Sequence, residues 1–182
     1  MKMPGLLIAG LLSLGGGLPA PSQAQATAPP VPEYVMKATY LYNFMVFTEW
    51  PNPDSSAPNT PREGLNLCVF GQDNFGSALS NLEGKNVNGR RLSVQRLNHL
   101  PGIKKCHLLF VTEREAPNMQ SIQSSIGDAP VLTVTDSPLA STAAIMLTVD
   151  GNRLVFDVNV QRVKKQGINL SSKVLQLARS TN

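Results

Sequence analysis

From Glu33 onward the apolar residues Ala38, Leu41, Tyr42 and Met45 recur at helical spacing, and Phe44 and Phe47 widen the stripe. The pattern predicts a core-facing helix that ends near Trp50, because the residue before Pro51 is pushed out of the helical region. Residues 51–64, PNPDSSAPNTPREG, carry four prolines and no periodicity, and read as a loop. Beyond it the pattern changes to short apolar runs: LNLCVF from Leu65, RLSVQRL from Arg91, CHLLFV from Cys106 and VLTVT from Val131. Helical or turn segments separate them, about Asn74 to Leu82 and near Glu115 to Ser125. Such alternation predicts a single α/β domain with a mostly parallel, Rossmann-like sheet and flanking helices. AIMLTV and RLVFDVN then flank Asp150-Gly151-Asn152, and Asp-Gly between apolar runs is a strong hairpin signal. An antiparallel edge hairpin is therefore expected. Two helices close the chain, about Val160 to Gln166 and Ser171 to Arg179, with Gly167 stopping the first and Ser171 capping the second.

The first residues carry a different pattern. Lys2 precedes an apolar stretch from Leu6 to Leu14, followed by Gly15-Gly16-Gly17 and small residues up to Ala24-Gln25-Ala26. This is the layout of a secretory signal peptide over residues 1–26. The stretch is far short of the ~18 residues needed to cross a bilayer, and no cysteine follows it to take a lipid. The expected product is free in the periplasm, with a disordered Ala/Pro-rich N-terminus at 27–32 and one domain over residues 33–180. About 155 residues are enough for a sizeable single core. A net charge of +4 with scattered Lys and Arg, and an aromatic content of 5%, argue against nucleic acid as a partner.

Candidate chemistry is sparse. Gly71-Gln72-Asp73-Asn74-Phe75-Gly76-Ser77 follows a strand and opens a helix, but Ser77 stands where a phosphate-binding P-loop needs its lysine. The glycines read as turn residues. His99 and His107 are too few and too far apart for zinc, which takes three or four protein ligands. A Cys106-His107 nucleophile pair fails because neighbours on a strand point to opposite faces. No metal, cofactor or catalytic set is expected. Two cysteines in an exported chain most simply form one disulfide, Cys68 to Cys106. A structural staple is the first reading, a labile redox switch the second, and a free reactive pair the third. Ser171-Ser172-Lys173 lacks Ser-x-x-Lys spacing and reads as a helix cap. After it Val174, Leu175, Leu177 and Ala178 are apolar, and Ile168 and Leu170 precede them. One stripe suffices for a core-facing helix, so a surplus could form a partner surface.

Three segments together resemble the YfiR family: RLVFDVNVQRVKKQGINLSSKVLQLA from Arg153 to Ala178, the aromatic YLYNFMVFTEWP from Tyr40 to Pro51, and the Cys68/Cys106 pair set in LCVFG and CHLLFV. The resemblance covers roughly residues 33 to 180. It implies a non-enzymatic periplasmic regulator that binds the periplasmic domain of an inner-membrane diguanylate cyclase, or a related sensor, and lowers cyclic-di-GMP. It further implies release by a competitor such as an outer-membrane lipoprotein, and binding through the C-terminal region, which points to Ile168, Leu170, Val174 and Leu175. A homodimer is compatible with it. The chain departs from the family pattern in lacking a second cysteine pair within 144–152, and in carrying Ala143-Ala144 where relatives often have glycines. The runner-up reading is a periplasmic small-molecule-binding module with its cleft at the carboxyl ends of parallel strands. A thiol-redox enzyme is disfavoured because the cysteines lack Cys-x-x-Cys spacing.

Overall fold

The computed structural model describes residues 32–51 and 64–182. The segments expected to form the signal peptide, the disordered N-terminus up to residue 31 and most of the proline-rich loop lie outside them.

Helix α1 (Glu33–Val46) buries Lys37, Ala38, Leu41, Phe44 and Met45, a stripe at three- and four-residue spacing. It ends four residues before Trp50. The reason is tertiary: Thr48 and Glu49 form strand β1, which pairs antiparallel with Leu170 and Asn169. The Thr48 hydroxyl meanwhile donates to the Phe44 carbonyl, satisfying an acceptor that another helical turn would have used.

The main sheet has eight strands in the order β10-β8-β7-β6-β5-β2-β4-β3. Their ranges are β2 Leu65–Phe70, β3 Asn86–Val87, β4 Arg90–Leu97, β5 Leu108–Val111, β6 Leu132–Thr135, β7 Ile145–Asp150, β8 Arg153–Val158 and β10 Ser180–Thr181. Strands β4, β2, β5, β6 and β7 run parallel. The expected hairpin at Asp150-Gly151-Asn152 forms, with β7 and β8 in register and Gly151 at φ +59°. It is not the edge, because β10 adds outside β8 in parallel, with Ser180 opposite Asp157. Arg179 pairs with Asp157 through two guanidinium nitrogens, and the Ser180 hydroxyl donates to Asp157 Oδ1 at 2.7 Å. At the other edge β3 and β4 form a second hairpin around Asn88-Gly89, both at positive φ. Asn-Gly is the strongest short hairpin signal, and this hairpin is not among the elements predicted above.

Strands β5 and β6 are buried at every position and β2 nearly so, as expected for parallel strands covered on both faces. Alternate residues enter different cores. Leu67, Val69, Leu108, Phe110 and Val134 join α1, helix α2 (Ser77–Ser80), α4 (Val160–Lys165) and α5 (Ser172–Leu177). Cys68, Phe70, Leu109 and Val111 pack against helix α3 (Met119–Ile126) and Ile103. Two helices are shorter than expected. α2 starts only at Ser77 because the Asp73 carboxylate accepts from the Phe75 N–H, a side-chain turn that replaces the first helical turn. The segment around Glu115 opens as a 3-10 turn over Glu113–Asn118, which contains Pro117, and becomes α-helical only from Met119.

The disulfide joins Cys68, inside β2, to Cys106, just ahead of β5, with both residues buried in the second core. It spans a separation of 38 residues, worth about 4 kcal/mol of unfolded-chain entropy. Cys68→Ser should therefore lower stability by about 2 to 5 kcal/mol. Urea unfolding of variant and parent, with thiol alkylation showing the parent to be bridged, checks this; an unchanged midpoint would show the bridge to be incidental.

Candidate functional site

Strands β2, β5 and β6 end level with one another at Phe70, Val111 and Thr135. The segments after them, from Gly71, Thr112 and Asp136, therefore emerge side by side. They then diverge, since α2 covers one face of the sheet and α3 the other. The strand order β4-β2-β5-β6 makes this the topological switch point, where open α/β sheets leave a crevice. A recess of about 130 Å³ lies there, lined among others by Tyr34, Gln72, Asn74, Thr112, Arg114 and Asp136. Gly71 is required beneath it: its φ is +94°, and a Cβ would fall 2.5 Å from Thr112 Oγ1.

Lys37 reaches into this edge from α1. Only 4% exposed, it lies 2.6 Å from Asp136 Oδ2, is also paired with Glu33, and sits 4.6 Å over the Tyr34 ring. Burial pulls its pKa down, but hydrogen bonds and charge from Asp136 and Glu33 outweigh this and leave it raised, so the lysine is held charged. The pair also walls a second cleft of about 490 Å³, lined by Glu33, Met146, Val149 and Arg179 among others. Neither Lys37 nor Asp136 is among the candidate residues named from the sequence. Lys37 falls four residues before Leu41 and eight before Met45, on the apolar stripe, and a lysine there signals a buried partner.

His107 stands at the opposite end of β5. Its Nδ1 accepts from the Asn66 N–H at 3.1 Å, its Nε2 is 3.0 Å from an Arg90 nitrogen, and Trp50 packs edge-on against the ring. A neutral imidazole has one acceptor nitrogen, so it can satisfy one of these two donors, and a protonated ring could satisfy neither. Burial, and then the Arg90 charge, lower its pKa to about 4. The group is a neutral structural histidine.

The C-terminal residues proposed from sequence are brought together, mostly inside the protein. Ile168, Leu170 and Val174 are buried in the first core, and Leu175 is half-buried against it. They seat the corner where β9 (Asn169–Leu170) pairs with β1 and the Ser171 N–H donates to the Phe47 carbonyl at 2.9 Å. Gly167, at φ +65°, turns the chain after α4, and the Ser171 hydroxyl accepts from the Lys173 N–H. What this corner presents outward is Leu177, 76% exposed, with Phe47 at 37% and part of Leu175.

A family model described as YfiR/HmsC-like matches residues 34–179. The chain belongs to the YfiR/HmsC-like family. The match takes in α1, the whole main sheet up to β8, and the C-terminal corner. Among solved structures, a conserved domain protein from Vibrio cholerae O1 biovar El Tor aligns with TM-score 0.53 at 9% identity, over 84% of this chain and 61% of that one. At that identity the likeness concerns the fold. A domain from Streptococcus pneumoniae described as an ABC domain in complex with L-Trp aligns at TM-score 0.46 and 9% identity, over 65% of this chain and 56% of that one. The chain thus spans 56% and 61% of the lengths of these two structures.

Lys37→Met leaves Asp136 buried without its cation and should cost about 3 kcal/mol or more, whereas Lys37→Met with Asp136→Leu should recover most of the loss. Denaturant midpoints of the two variants measure this, and equal losses would contradict it. His107 binds fewer protons folded than unfolded between pH 6.5 and about 4, so its contribution is complete above 6.5 and is lost as pH falls toward 4. Unfolding free energy measured from about pH 7.5 down to about 4.5 should fall less steeply for His107→Gln than for the parent; parallel curves would show that the ring titrates normally.

Proposed function

We propose that this protein is a non-enzymatic periplasmic regulator that docks on the periplasmic domain of an inner-membrane diguanylate cyclase and limits cyclic-di-GMP synthesis. The observation that carries the reading is family membership across the whole α/β fold. The YfiR/HmsC-like family is a regulatory, non-catalytic one of the periplasm, tied to diguanylate cyclase signalling. The opening residues of the chain, with their signal-peptide pattern, agree with that compartment.

Docking acts by population shift: binding favours the inactive arrangement of the partner, and the shift is limited by the difference in affinity for its two states. A competitor, such as an outer-membrane lipoprotein that sequesters the regulator, reverses it by mass action. The C-terminal corner supplies the docking surface in this reading, with a division of labour among its residues. Ile168, Leu170 and Val174 anchor α5 from inside. Leu177, the outer side of Leu175 and Phe47 make the contact, since large apolar side chains left in water are where an interface gains most.

Leu177→Asp should keep the fold, with stability moving by under about 0.5 kcal/mol, and should abolish repression. Val174→Asp should unfold the domain, because an unpaired charge in the core is very costly. Circular dichroism reports folding, and cellular cyclic-di-GMP in a strain depending on the variant reports function. A folded Leu177→Asp protein that represses normally would remove this corner from the docking surface.

A further inference from the structure

We propose that the recess at the switch point between β2 and β5 is a binding site for a small neutral polyol, either linear or a single sugar ring. The proposal is independent of the docking surface, which lies at another corner of the fold. Position is the first support: the loops after β2 and β5 leave for opposite faces of the sheet, so the crevice follows from the strand order rather than from a chance gap between side chains. Its volume of about 130 Å³ is on the scale of the ~150 Å³ cavity that accommodates benzene, so roughly six heavy atoms fit before the ligand reaches the mouth.

The second support is unmet hydrogen-bonding capacity. Thr112, 5% exposed, carries a hydroxyl with no partner among the described residues, and Oδ1 of Asp136 likewise has none, though the Asp136 side chain is only 9% exposed. Both residues line the recess. Buried polar atoms left without partners are rare and costly, and two in one recess point to a ligand that supplies donors. Around them stand the side chains of Gln72 and Asn74, the latter donating to the Tyr34 hydroxyl at 3.2 Å.

Charge decides the ligand class. Asp136 already has a cation in Lys37 at 2.6 Å, shared with Glu33, and Asp73 has one in Arg96 at 2.8 Å. Glu113 and Arg114 add one charge of each sign to the lining. An ammonium ligand reaching Asp136 would approach the Lys37 cation on the same carboxylate, and an anionic one would meet that carboxylate itself. A hydroxyl suits both oxygens without added charge, donating to Asp136 Oδ1 while another donates to, or accepts from, Thr112. The partly exposed ring of Tyr34 offers apolar surface for the C–H groups of the same molecule.

Direct binding tests the assignment on the mature chain, by saturation-transfer NMR and calorimetry with glycerol, erythritol, myo-inositol, D-glucose and D-galactose. Putrescine and succinate serve as charged comparators. At least one polyol should bind saturably and neither comparator should. Thr112→Val keeps the side-chain shape and breaks no bond among the described residues, so it should leave the melting temperature unchanged or higher while weakening polyol binding roughly tenfold. Asp136→Asn should weaken it too, and Thr112→Val remains decisive if that variant proves unstable. Failure of every polyol, as when water alone meets these oxygens, would overturn the site. Polyol binding indifferent to Thr112→Val would overturn it equally, and saturable binding of putrescine or succinate alone would overturn the ligand class.

Discussion

Burial of the central strands on both faces is the constraint on which the rest of the structure depends. Leu108–Val111 and Leu132–Thr135 have no solvent-facing position, and Leu65–Phe70 has almost none. Every residue pointing up needs one apolar layer and every residue pointing down needs another. The chain meets this with α1, α2 and the C-terminal helices on one side, and α3 on the other. Because successive connections must leave for different layers, the crevice at the carboxyl ends of β2 and β5 is a consequence of covering the sheet. It exists whether or not a ligand uses it.

Polar groups that enter this dry interior are constrained by the same dielectric logic. Lys37 is kept charged by two carboxylates, since a lone buried ammonium would otherwise surrender its proton. His107 takes the opposite course. With a guanidinium nitrogen 3.0 Å from one ring nitrogen and a backbone donor on the other, it is held neutral. The disulfide lies wholly in the second core, between β2 and the start of β5, so reducing it would release two thiols into apolar surroundings. That placement suits a structural staple, since reactive thiols sit in partly exposed, electropositive settings.

The C-terminal corner divides one apolar cluster between core and surface. Ile168, Leu170 and Val174 close the core beneath α1, and the β1–β9 pairing locks the helix end to the turn after Gly167. That closure leaves Leu177 and Phe47 exposed at the surface of the corner. In the docking mode proposed above, these exposed side chains are the ones that meet the partner.

Periodicity alone determined the fold class and most of the elements, because period-two and period-3.6 patterns are local properties that survive without knowledge of neighbours. The runs LNLCVF, CHLLFV and VLTVT became the buried strands, Asp150-Gly151 became a hairpin, and the two cysteines became a bridge. Turn chemistry was legible too at Asn88-Gly89, where it went unread. Tertiary structure alone decided where α1 stops, since β1 forms only when Asn169 and Leu170 arrive from 120 residues away to pair with it. It decided which of Ile168, Leu170, Val174, Leu175 and Leu177 face water, because an apolar surplus does not state its own direction. It also joined Lys37 to Asp136 across 99 residues and set Thr112 beside them. Such polar contacts depend on the order in which strands assemble, and strand order is not written in any local window of the chain.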